Sequence, residues 1–144
     1  MNIRHVVMSA VVAWGVLSAS VQAAEVVLPL TDDAWINGNS VDSNFGAATS
    51  LTVHNYGPKF SLVRFDASAI AGKVVTQATL KVFLRSLVAA GELTIYPIVS
   101  SWNESSVTWA LQPASEANAT ANVALTTAMA GTAISIDVTN VAKR

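Results

Sequence analysis

Apolar and polar side chains alternate through most of the chain beyond residue 24, and the longest alternation runs over Val74–Ser86. There Ala78, Leu80, Val82 and Leu84 face one way, while Thr79, Lys81, Phe83 and Arg85 face the other. A period of two predicts a strand with one buried face. Shorter strands are predicted over Glu25–Leu30, Ala34–Asn37, Ser50–Tyr56, Lys59–Phe65, Glu92–Val99, Asn122–Thr127 and Thr132–Val138. Turn signals separate them: Thr31-Asp32-Asp33, the Asx-rich loop Gly38–Thr49, Gly57-Pro58, Asp66 and Val88–Gly91. The last of these predicts an antiparallel hairpin that lays Glu92–Val99 beside Val74–Ser86. Ser100–Pro113 reads as a polar connection carrying two tryptophans, and Thr139–Arg144 as the opening turn of a helix. Short strands at near-regular spacing predict an all-β fold, an antiparallel β-sandwich of jelly-roll type.

The first 23 residues break this pattern. A cationic start (Arg4, with His5) precedes an apolar run from Val6 to Leu17, and the stretch ends in Val21-Gln22-Ala23. Small residues at the −3 and −1 positions of a cut after Ala23 complete the three-part pattern of a secretory leader. The strongly apolar part, about 12 residues, is short of the ~20 needed to span a bilayer. The expected organisation is a signal peptide over 1–23 and one domain over 24–144, secreted to the periplasm or beyond.

Composition narrows the chemistry. The whole chain holds 8 basic and 9 acidic residues, a net charge of −1 and no cysteine. That balance gives no general affinity for nucleic acid, and the missing cysteine removes disulfides and thiolate metal sites. His54 is the only histidine beyond the leader. One imidazole with no G-x-S-x-G elbow is a poor start for serine catalysis, and it cannot build a zinc site. Carboxylates at Asp32, Asp33, Asp42, Asp66, Glu92, Glu104 and Asp137 are available for glycoside chemistry, yet most sit where turns need them. The reading is non-catalytic, with no cofactor. A structural calcium ion is the one alternative, because Asp32, Asp33, Asn37, Asn39, Asp42 and Asn44 crowd hard oxygen donors into one region. Asx residues at such a density also serve turn geometry alone.

The candidate binding feature is the outward row Lys81, Phe83 and Arg85, with Glu92, Thr94 and Tyr96 on the expected neighbouring strand. An aromatic face stacks against a sugar ring, and flanking cations bind carboxylate or sulfate. A uronic-acid polymer satisfies both. The plainer alternative is an ordinary solvated sheet face whose aromatics are covered by a loop or by the other sheet.

Six fragments in order carry a family likeness: Asp33-Ala34-Trp35-Ile36; Ser43-Asn44-Phe45-Gly46; Ser50-Leu51-Thr52-Val53; Ser61-Leu62-Val63-Arg64-Phe65-Asp66; Val75-Thr76-Gln77-Ala78-Thr79-Leu80-Lys81-Val82; and Trp102-Asn103-Glu104-Ser105-Ser106-Val107-Thr108-Trp109 with Gln112-Pro113. Together they resemble the DNRLRE-type domain, also classed as carbohydrate-binding module family 96. The resemblance implies a secreted, non-catalytic jelly roll that recognises acidic polysaccharide such as alginate. It adds Arg64, which falls where the family often carries a basic residue, to Lys81, Phe83, Arg85 and Tyr96 as the expected binding set. The motif tryptophans are expected to pack a loop rather than to bind. The resemblance also implies further strands after the helix that opens near Thr139, so the expectation is a domain lacking its C-terminal strands. A partner chain that adds a strand is one way to complete such a sheet. The second functional reading is a structural or adhesive surface module that binds protein; the third is a polysaccharide lyase or hydrolase.

Overall fold

The computed structural model describes residues 1–13 and 24–143, with the side chains of all but 4, 5 and 11–13. The leader's proposed cleavage motif, Val21-Gln22-Ala23, lies outside the described residues. The fold is an antiparallel β-sandwich built from β1 (Asn2–Ala13), β2 (Ala24–Leu28), β3 (Leu30–Asn37), β4 (Leu51–Thr52), β5 (Lys59–Phe65), β6 (Val74–Ser86), β7 (Gly91–Ile95), β8 (Ala121–Leu125) and β9 (Thr132–Asp137), closed by a short helix α1 (Thr139–Ala142). Among the described residues no helix is long and apolar enough to cross a membrane.

The main sheet has the order β2-β1-β6-β9, with β4 attached to β1. Two ribbons, β3-β5 and β7-β8, complete the described strands. Alternation places Ala78, Leu80, Val82 and Leu84 of β6 in the core, as the period of two predicts. Trp35, Val63 and Phe65 from the first ribbon and Leu93, Ile95 and Leu125 from the second pack on that same core. Each ribbon therefore turns one face to the main sheet, which is how a sandwich buries its apolar rows.

Asn2–Ala13, the start of the stretch read as a leader, forms a strand at the middle of the main sheet. It pairs with β6 from Asn2↔Ser86 to Ala13↔Val74, and with β2 from Met8↔Leu28 to Val12↔Ala24. The register shifts between Arg4 and Val6, so His5 is the extra residue of a bulge. Ile3 and Ala10 are buried, and Ala10 meets Ala78 directly across the pair. A continuous apolar run rich in Val suits a doubly flanked strand as well as a leader, which is why pattern alone does not separate the two.

Two expectations need correction. Thr31-Asp32-Asp33 does not turn the chain: β3 runs straight through it, with a register shift between Leu30 and Asp32 against β5. Arg64 neutralises Asp32 there, at 3.3 Å, so the acid is tolerated within a strand. The β6–β7 hairpin also fails. Both edges of β6 are taken, by β1 and by β9, and β7 pairs with β8 instead. Leu93 of β7 shares the core with Leu80 and Leu84, so the chain crosses the sandwich after β6 rather than doubling back. Of the predicted strand Ser50–Tyr56, only Leu51–Thr52 is a ladder; a single bridge from His54 to Lys59 closes the turn that follows.

Candidate functional site

The five nominated residues fall into two groups. Lys81, Phe83 and Arg85 share the outer face of β6, with Lys81 and Arg85 exposed and Phe83 half-buried. Four residue steps along the strand set the two cations about 13 Å apart. Lys81 is flanked across the sheet by Val7 on β1 and Ser135 on β9, and Ala133 lies beside Phe83. Among the described residues no acidic side chain pairs with either cation. On the β1 side the register partner of Phe83 is Arg4, while Val7, Ser135 and Ala133 are short side chains beside the row. Glu92, Thr94 and Tyr96, expected beside the row, belong to another part of the sandwich.

Arg64 and Tyr96 instead lie along a cleft of about 2040 Å³ that borders β5 and β7 and reaches inward to core residues such as Leu80, Val82 and Leu93. Arg64 is already engaged. Its guanidinium pairs with Asp32, donates to the Trp102 carbonyl and lies 4.7 Å from the Trp102 ring centroid. Tyr56, Phe60 and Trp102 line this cleft too, and sequence reasoning did not nominate them. Tyr56 is almost fully exposed and Phe60 half-exposed. Their signal in the sequence is slight: two aromatics either side of Gly57-Pro58, which become neighbours only through the turn.

The tryptophans of the connection between β7 and β8 pack a loop. Trp102, Trp109 and Val107 cover Ala34, Ile36 and Leu62, the face of the β3-β5 ribbon turned away from the main core. Phe60 meets Trp109 at 5.1 Å between ring centroids. On the other side of that ribbon Trp35 stacks on Phe45 at 3.8 Å, with the Lys59 ammonium 5.3 Å from the Trp35 ring.

A side-chain clamp ties two of the sequence motifs together. The Asn44 amide donates to the carbonyls of Glu104, at 2.8 Å, and Val107, at 2.7 Å. Its own oxygen accepts from the Gly46 N–H at 3.2 Å. A Cβ on Gly46 would stand 2.1 Å from the Glu104 carbonyl oxygen, so only glycine lets the two loops meet. Several oxygens considered for calcium are thereby accounted for within the fold: the Asn37 oxygen accepts from Asn39 N–H, that of Asn44 from Gly46, and Asp32 meets Arg64.

The Asp33 N–H donates to Glu104 Oε1 at 3.2 Å, which brings a second carboxyl beside that of Asp33. Burial, then this contact with a second carboxyl, pushes Asp33 above the ordinary carboxylate range. Asp66 and Asp137 are held below the ordinary range, because each accepts hydrogen bonds at the start of the next turn, from Ser68 and Thr139 respectively.

The molecule is thus an antiparallel sandwich with an aromatic and cationic row on its outer face, and a loop clamp links Asn44 to Val107. The family model for carbohydrate-binding module family 96 matches residues 24–144, and the chain belongs to that family. No curated protein matches the chain at a significant level.

Proposed function

We propose that this carbohydrate-binding module is non-catalytic, acts outside the cytoplasm and recognises acidic polysaccharide, with uronic-acid polymers such as alginate as the substrate class. The observation that carries the reading is the row Lys81, Phe83, Arg85: two exposed cations without acidic partners among the described residues, on either side of an aromatic ring. Phe83 offers an apolar surface to the C–H face of a sugar. Lys81 and Arg85 supply charge-assisted hydrogen bonds to carboxylates along the polymer, and Arg85 can hold one of them bidentately. Arg64, spent on Asp32 and Trp102, acts in this reading as a packing residue, and Tyr96 belongs to the separate cleft. Secretion rests on the three-part pattern over Met1–Ala23.

Affinity electrophoresis tests the specificity. The full chain is expected to be retarded in a gel containing alginate and to migrate freely in one containing a neutral glucan. Added salt should shrink the retardation, because exposed charges are screened within about 10 Å at 0.1 M ionic strength. Equal mobility in both gels would overturn the acidic-glycan assignment.

A further inference from the structure

The segment over Asn2–Ala13 carries two roles that exclude each other in one molecule. It has the composition of a leader core, and it holds the lane between β2 and β6. If the secretion reading holds, processing after Ala23 takes that strand away. β2 then has no ladder partner among the described strands, and β6 keeps only β9. Leu28, Ala78, Leu80, Val82 and Leu84, all buried in the presence of β1, would border an open lane. A bare lane with unpaired N–H and C=O groups along both walls is a template for strand addition.

We propose that the lane between β2 and β6 is a strand-acceptor site, filled in the processed protein by an extended segment of another polypeptide. The occupant's chemistry is written in the segment that sits there now. It runs antiparallel to β6 from Asn2 to Ala13 and to β2 from Met8 to Val12, with apolar side chains at the positions of Ile3, Val6 and Met8. At the position of Ala10 it carries a small side chain. Ala10 and Ala78 face each other with 0% exposure, and the Ala78 backbone is covered by Thr139, whose hydroxyl accepts from the Ala78 N–H at 3.0 Å. A large group at that point has nowhere to go. On the outer face the position of Val7 is exposed, whereas that of Ser9 is buried and also takes a small side chain.

The test keeps the whole chain. A site-specific protease sequence is placed within residues 14–23, the purified protein is cut, and a fluorescent peptide of residues 2–13 is added. The expected result is a cut chain that either keeps its fragment through size exclusion or exchanges it saturably for the labelled peptide. The same peptide with Ala10→Phe should bind at least tenfold more weakly. Loss of the fragment without peptide uptake and without a change in Tm would overturn the proposal. So would equal uptake of the Ala10→Phe and scrambled peptides. The intact mass of the exported protein reports separately on secretion: a start at Ala24 supports the leader reading, whereas a start at Met1 overturns it and leaves the peptide result to judge the lane itself.

Discussion

Gly46 is the residue at which the two loops press hardest. Its missing Cβ would sit 2.1 Å from a backbone oxygen that cannot move without dragging the Glu104–Val107 turn off Asn44. Gly46→Ala is therefore expected to destabilise the fold by about 1–3 kcal/mol, the usual range for overpacking, and thermal unfolding measures it. Asp33 supplies a pH test. A carboxyl whose folded pKa lies above its unfolded value binds more protons in the folded state between the two, so it costs stability at neutral pH. That cost is relieved as pH falls through the raised value. Asp33→Asn should raise Tm at pH 7, by the equivalent of about 0.5 kcal/mol given solvent screening of a half-buried pair, and the gain should fade toward pH 4. Asp66 and Asp137 work in the opposite sense: their contribution is present at neutral pH and is lost as pH drops below the ordinary carboxylate range.

Among the elements, β6 anchors the sandwich. It is flanked on both sides, it carries Ala78 and Leu84 at 0% exposure, and α1 packs on it. Its central amides should be among the slowest to exchange in hydrogen–deuterium measurements, while the two-residue strand β4 exchanges fast. Leu84→Ala should cost about 2–5 kcal/mol, since a fully buried leucine leaves both lost transfer energy and a cavity. The same strand shows what alternation can and cannot tell. Its bounds, its buried row and its outward row were all legible, because a period of two is a property of one segment. Its neighbours were not. Val88–Gly91 has the residues of a turn, but turn chemistry does not say whether the next strand returns alongside or crosses to the opposite layer. The apolar run of β1 is ambiguous in a similar way, as leader core and doubly flanked strand share one pattern. Likewise Arg64 looks available as a basic residue on an alternating strand, and only the fold brings Asp32 and Trp102 to it.

For the molecule as a whole, net charge conceals the feature that matters. A chain at −1 has no long-range pull on a polyanion, so the proposed recognition of an acidic glycan rests on a local arrangement at the sheet surface. The outer face of β6 provides one, with cations about 13 Å apart and an aromatic between them. The aromatic clusters around Trp35, Trp102 and Trp109 hold loops in place, and those were legible as motifs because several residues repeat a fixed order. Tertiary placement separates the two candidate surfaces, and the row on β6 is the one whose cations pair with no acid among the described residues. Calorimetric titration of alginate oligosaccharide into the full chain and into a Lys81→Ala/Arg85→Ala variant tests this most directly. The account predicts binding at low salt that weakens at least tenfold in the variant, about 1.4 kcal/mol, with unfolding unchanged; equal affinity for the two proteins would contradict it.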